Sequence, residues 1–411
     1  MNIPKIHQIN YYDILFCLLI FIIPFSVAIP NIVLIILALI FLKDIKKVDF
    51  KFLKNPSLQI LLFLFLYLII KALFYGTFFI DSKIYGRFLL IIGLIILLLK
   101  FKNLILLKLS FILSIFLATI VSIFNIGLYY IKYNNFPLAN GQKVNELLLF
   151  ERPYFGFLLT VAFLLCINIM KIYPKYKKIL IAISVSLIVF IIAISARLSF
   201  VSIALIFVVF ILFYSKGNRF KKTIFLIGLF SIITLSFLSN KNLSERFNIK
   251  SGINATVQSL KNSEPRVIIW NCAFKMTQND FNIFIGKKSY TEIKQFFHDC
   301  YGDSIKNDFQ KRAFFQTRNY NSHNSFIEFY LIGGIIGLLV FLSFFVYLIY
   351  NYRISFPDFG IILALFLFCF VENIMQRQVG CYMFSIIIFI LLNNKLQFQN
   401  KLKISKKELT P

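Results

Sequence analysis

Long apolar runs, each closed by a short polar stretch, follow one another from Tyr11 to Leu392. A run of about 18 or more apolar residues can cross the hydrocarbon core of a bilayer as a helix. Lipid offers no partner to free backbone N–H and C=O groups, so a crossing segment is a helix or part of a closed barrel. These runs are continuously apolar and lack the alternation of barrel strands. The pattern predicts spans at 11–29, 31–43, 57–75, 84–100, 103–131, 154–172, 178–195, 198–215, 222–239, 324–350, 357–372 and 379–394. Ser195-Ala196-Arg197 separates the seventh from the eighth so narrowly that the two helices meet in a tight turn. The expected fold class is all-α, a polytopic membrane protein of about 12 transmembrane helices. The chain divides into helices one to nine over 1–239, a helical loop over 240–323, helices ten to twelve over 324–394 and a basic tail over 395–411.

Charge adds direction. Lys and Arg number 44 against 17 Asp and Glu, and the net charge of +27 on its own suggests a nucleic-acid partner. The basic residues form no single patch, which argues against that reading. They cluster after the even-numbered spans: Lys43 to Lys54, Lys100 to Lys108, Lys171 to Lys178, Lys216 to Lys222, Arg353, and Lys395 to Lys407. Cytoplasmic loops carry such an excess of Lys and Arg, so both termini are expected in the cytoplasm. The odd-numbered connections, 76–83, 132–153, 196–197, 240–323 and 373–378, then face outward. The first run follows Lys5 and resembles a signal peptide, but with so many later spans it reads as a retained first helix.

The loop is the one sizeable hydrophilic segment. Ser263-Glu264-Pro265 has the form of a helix start, with Val267, Trp270 and Phe274 on one face and Asn279-Asp280 at the end. Gly286 reads as a turn, Thr291 to Cys300 as a second short helix, and Asp303 to Asn321 as a polar, lid-like stretch.

Candidate chemistry collects on the same side. Arg197, on the tight turn, either snorkels to lipid headgroups or captures an anionic ligand. Arg266 stands four residues before Trp270, the single tryptophan. His323 either caps the tenth span, together with Ser322, or accepts a proton at the water boundary. Arg152, before Pro153-Tyr154, is an outward cation or an interfacial anchor, and Arg87 is similar. Glu372 and Arg377 flank the last outward turn and read as a structural ion pair. Cys272 and Cys300 share the loop and an oxidising compartment, which allows a disulfide if the fold brings them close. Histidine occurs only at positions 7, 298 and 323, so a multi-histidine metal site is not expected. Walker, dinucleotide-binding and HExxH signatures are absent, and no cofactor is expected. Lys71 is nearly the only ionisable residue deep inside a span, where a transporter would be expected to carry more.

Three passages resemble the bacterial O-antigen ligase family, which includes O-antigen polymerases and protein O-oligosaccharyltransferases. Pro265-Arg266-Val267-Ile268-Ile269-Trp270 is similar to its Arg-x-x-x-Trp element. Asn321-Ser322-His323-Asn324, leading to Gly333-Gly334 and Gly337, is similar to its His-Asn element before a glycine-bearing helix. Ser195-Ala196-Arg197 is similar to its Ser-Arg element, and Glu372 through Gly380 to its closing segment. There are departures: Ile285-Gly286-Lys287-Lys288 keeps one glycine where the family often has two, and Ala196 separates Ser195 from Arg197. The resemblance implies a GT-C-like glycosyltransferase with a periplasmic site, an undecaprenyl-diphosphate-linked glycan donor, and the lipid A core or another sugar hydroxyl as acceptor. It implies Arg197 and Arg266 at the diphosphate and His323 as base; Arg152, Trp270, Asn324, Arg377 and Glu372 are the further candidate substrate contacts. The implied reaction is a single inverting displacement without metal or nucleotide.

Overall fold

The structure is a computed structural model that describes residues 10–136, 141–239, 264–278, 280–305, 308–318 and 320–408. Its α-helices are α1 (Tyr11–Ile22), α2 (Ile29–Lys43), α3 (Pro56–Phe74), α4 (Ser82–Leu98), α5 (Leu104–Tyr133), α6 (Gly141–Leu147), α7 (Arg152–Ile172) and α8 (Lys177–Ala193). They continue with α9 (Arg197–Val209), α10 (Arg219–Ser239), α11 (Pro265–Gln278), α12 (Tyr290–Ser304), α13 (Phe309–Arg318), α14 (Ser325–Tyr352), α15 (Phe356–Cys369) and α16 (Gln378–Glu408). Each predicted apolar run contains a helix, although the first, expected over 11–29, is helical only over Tyr11–Ile22. Among the described residues, six helices are long and apolar enough to cross a membrane: α3, α5, α7, Pro174–Ala193 with α8, Arg197–Tyr214 with α9, and α14. Tyr11–Ile22, Ile29–Lys43, Phe356–Cys369 and Gln378–Asn394 are shorter apolar helices. The chain is a helical membrane protein.

Local signals set the helix starts. Asn55 accepts from Ser57 N ahead of Pro56 in α3, and Asn103 accepts from Leu106 N at the head of α5. Helix α7 is apolar all round, and 72% of its apolar window lies inside the protein, against 28% for those containing α8 and α9. It is the axis on which α5, α8, α9 and α15 pack. Gly156 lets α9 approach closely, since a Cβ there would overlap Ser199 and Ala196.

The connections after odd-numbered spans meet at one end of the bundle. Asp81, between α3 and α4, accepts from Ser289 Oγ at 2.9 Å and Tyr290 N at 2.7 Å at the head of α12. Glu151, ahead of α7, pairs at 2.6 Å with Arg377, between α15 and α16. The connections after even-numbered spans meet at the other end. There Lys100 pairs with Asp44 at 2.8 Å, and Lys108 donates to Asn168 and Asn394 at 2.8 and 2.6 Å.

Part of the loop is built into the bundle. Helix α14 breaks at Gly334, where φ is +62° and a Cβ would overlap the backbone of Phe284. Residues 283–287 dock at this break, with Lys287 N donating to Leu331 O at 2.9 Å and Ile335 N to Ile283 O at 2.8 Å. Gly286, at φ +74°, makes the predicted turn. Lys71 fastens the joint: its Nζ donates to Ile285 O at 2.8 Å, to Lys287 O at 2.6 Å and to Ile332 O. The odd charge in α3 is thus a clasp for carbonyl groups. Lys71→Met leaves these acceptors without their donor, at about 1–3 kcal/mol for each buried group. Backbone amide exchange over 283–287 should rise by about tenfold or more; an unchanged rate would show the clasp to be dispensable.

Residues 240–263, including the Ser263 helix start, lie outside the described residues, as does Asn279. In α11 the buried stripe is Ile269, Cys272, Ala273 and Met276, whereas Val267, Trp270 and Phe274 are exposed. The reason is covalent: Cys272 is disulfide-bonded to Cys300 of α12, with Cα atoms 5.9 Å apart. The stretch read as a lid carries helix α13, whose Phe315 is buried against Tyr301 and Tyr320, each 5.3 Å away between ring centres.

Candidate active site at the loop end of the bundle

His323 occupies the last residue but one before α14, in a conformation that few side chains adopt. Its φ is +44°, a left-handed geometry that costs roughly 1 kcal/mol or more outside glycine. Two neighbours hold it there. Asn321 Oδ1 accepts from His323 N at 3.0 Å, and Asn324 caps α14 by accepting from Phe326 N at 2.9 Å and Ile327 N at 3.0 Å. Asn324 is therefore the cap, not Ser322 or His323, and Asn is among the best N-cap residues.

The imidazole Nδ1 lies 3.2 Å from Glu372 Oε2. The same carboxylate receives Arg266, whose Nη2 is 3.0 Å from Oε1 while its Nε donates to Val371 O at 3.1 Å. Glu372 thus joins the loop helix α11 to the segment before α14. This corrects the expected Glu372–Arg377 pair: Arg377 pairs with Glu151 and lies over the Tyr154 ring at 5.2 Å. The Glu372 side chain is 7% exposed. Burial raises its carboxyl, yet the His323 hydrogen bond and the charges of His323, Arg266 and Arg377 prevail and hold it below the usual carboxylate value.

Arg197 reaches the same place from α9, after Ser195 turns the chain at φ +51°. It pairs with Glu264, whose other oxygen is 3.9 Å from Arg266 Nη1. Trp270, one turn along α11 from Arg266, donates Nε1–H to Ser322 O at 3.1 Å and so ties α11 to the His323 segment. The turn that carries Glu372 is fixed by a carboxylate to which the sequence reading gave no role. Glu328, buried on α14, accepts from Ser322 Oγ at 2.6 Å, Gln376 Nε2 at 2.8 Å and Asn373 Nδ2 at 3.2 Å. Ser325 Oγ adds a bond to Glu372 O at 2.9 Å.

The structure therefore brings His323, Arg266 and Glu372 into direct contact and joins Arg197 to them through Glu264. Trp270 and Asn324 support that centre through backbone groups. Arg377 stands beside it on Glu151. Arg152 is buried at the head of α7, and its guanidinium has no hydrogen-bond partner among the described residues. Sequence reasoning missed Glu264 as a partner, having read it only as part of a helix start. An acidic residue two positions before a candidate phosphate-binding arginine is the signal that could have found it.

Acid should loosen this centre. The folded pKa of Glu372 lies below its ordinary value, so its contribution to stability is complete above that value and disappears as pH falls through the folded one. Thermal unfolding of the purified protein should shift down on acidification below about pH 4.5, and Glu372→Gln should remove that part of the shift. An identical acid limb in the variant would assign it to other carboxylates.

Residues 182–342 match the family model described as O-Antigen ligase. The match contains Arg197, Arg266, Trp270, His323 and Asn324, while Arg152, Glu372 and Arg377 lie outside it. No curated protein matches the chain. The resemblance carried by the short motifs and the matched stretch agree: over residues 182–342 the chain is similar to the O-antigen ligase family.

Proposed function

We propose that the chain is a glycosyltransferase that moves a glycan from undecaprenyl diphosphate to a hydroxyl of the lipid A core. In this reading it spans the bacterial inner membrane about 12 times, in GT-C-like fashion, with both termini cytoplasmic and the site periplasmic. The observation that carries the reading is the pair of shared carboxylates. Glu372 joins His323 to Arg266, and Glu264 joins Arg266 to Arg197. An imidazole and two guanidiniums therefore stand in one continuous cluster.

The chemistry follows from these groups. With Nδ1–H donated to Glu372, the imidazole lone pair is on Nε2, ready to take a proton. The acceptor hydroxyl attacks the anomeric carbon, its proton passes to His323 Nε2, and the bond from that carbon to the diphosphate oxygen breaks. Negative charge grows on the diphosphate, and the guanidiniums of Arg197 and Arg266 stabilise it through forked, charge-assisted hydrogen bonds. One displacement inverts the anomeric centre. Trp270 keeps its ring partly exposed beside the cluster and offers a sugar an apolar surface. A transporter is less well supported, because Lys71 is engaged by three backbone carbonyls.

The test is the glycan profile of a strain lacking the protein. Lipid-linked polymer accumulating beside a bare lipid A core is the expected result. Core capped with single repeats would instead identify a polymerase, and unglycosylated secreted proteins would identify a protein O-oligosaccharyltransferase.

A further inference from the structure

Arg266 has two different counter-ions. On one side it is held by Glu372, 7% exposed, and by the Val371 carbonyl. On the other it shares Glu264 with Arg197, and these three side chains keep 25%, 19% and 31% exposure, so solvent reaches them. The inner pair is a fixture of the fold. The outer carboxylate is exchangeable, and an anion placed between two guanidiniums has the surroundings that a phosphate group would require.

We propose that Glu264 is a specificity-determining counter-ion: it fills the anion position of the free enzyme and yields only to a ligand with more negative charge than one carboxylate. The inference rests on the diphosphate reading given above and deepens it. A phosphodiester headgroup carries one negative charge. Exchanging it for Glu264 gains nothing in charge, and Glu264 is tethered beside its partners at high effective concentration. A diphosphate carries at least two negative charges and can satisfy both guanidiniums at once. An arginine pair at a membrane surface is surrounded by singly charged anionic headgroups. A built-in carboxylate keeps them out and leaves the position open to the activated donor.

The experiment measures pyrophosphate binding to the full-length protein in nanodiscs of phosphatidylcholine or of phosphatidylglycerol. Wild type should bind equally in both lipids. Glu264→Gln, which keeps the shape and removes the charge, should bind about tenfold more tightly in phosphatidylcholine and lose that gain in phosphatidylglycerol, where headgroups fill the vacated position. Glu264→Asp, with a shorter reach, should fall between them, and it serves as the second variant if Gln perturbs folding. Equal or weaker pyrophosphate binding by both variants would overturn the inference and leave the diphosphate reading standing. No binding by wild type or by either variant, with the Cys272–Cys300 bond intact, would overturn the diphosphate reading and the inference with it.

Discussion

Replacing His323 with alanine will leave the protein folded and inserted but reduce glycan transfer by about 10²–10⁴-fold, the range that general base catalysis supplies. Among His323, Arg266 and Glu372 the imidazole is the group suited to accept a proton from a hydroxyl, since a guanidinium offers no acceptor and Glu372 is committed to both neighbours. The loss should fall on kcat, with donor binding little changed, because the guanidiniums stay in place. Integrity can be read from the Cys272–Cys300 disulfide, which joins α11 to α12 whatever stands at position 323. A rate close to wild type would remove His323 as the base. His323→Gln separates shape from chemistry, because its amide can still meet Glu372 but cannot take the proton.

Arg266→Ala will damage both stability and rate. It strips the nearly buried Glu372 of its guanidinium partner, and breaking such a pair costs about 3–5 kcal/mol when fully buried. Arg266 itself is 25% exposed, so the lower end of that range applies. Loss of a donor at the developing charge lowers the rate by a further 10²–10³-fold or so. Arg266→Lys should recover most of the stability and little of the rate, because an ammonium cannot offer Nε to Val371 O and the Nη groups to two carboxylates together. Full activity in the lysine variant would reduce the proposed role to charge alone.

The apolar runs announced their helices plainly, because lipid permits almost nothing else. Agreement on element ends is close for α3, where 57–75 was expected and Pro56–Phe74 is found. Choices among equals were harder to read. In α11, Val267, Trp270 and Phe274 recur at helical spacing, and so do Ile269, Cys272, Ala273 and Met276. Periodicity cannot rank the two stripes, and the bond to Cys300 decides. Glu372 has Arg377 five residues away in sequence but takes Arg266, 106 residues distant, since the 374–376 turn directs Arg377 toward Glu151. Lys71 looked anomalous because its partners are backbone carbonyls, which leave no mark in a side-chain pattern.

The order in which a chain is made gives the shared carboxylate a further meaning. Arg197, Arg266 and His323 are all synthesised before Glu372, which arrives with the last turn between α15 and α16. A polypeptide arrested before that turn already contains the proposed base and both guanidiniums, yet lacks the carboxylate that His323 and Arg266 share. Competence in the proposed reaction therefore waits for the turn after α15, so products that stop or fail to insert before it hold the proposed reactive side chains without the carboxylate that joins two of them.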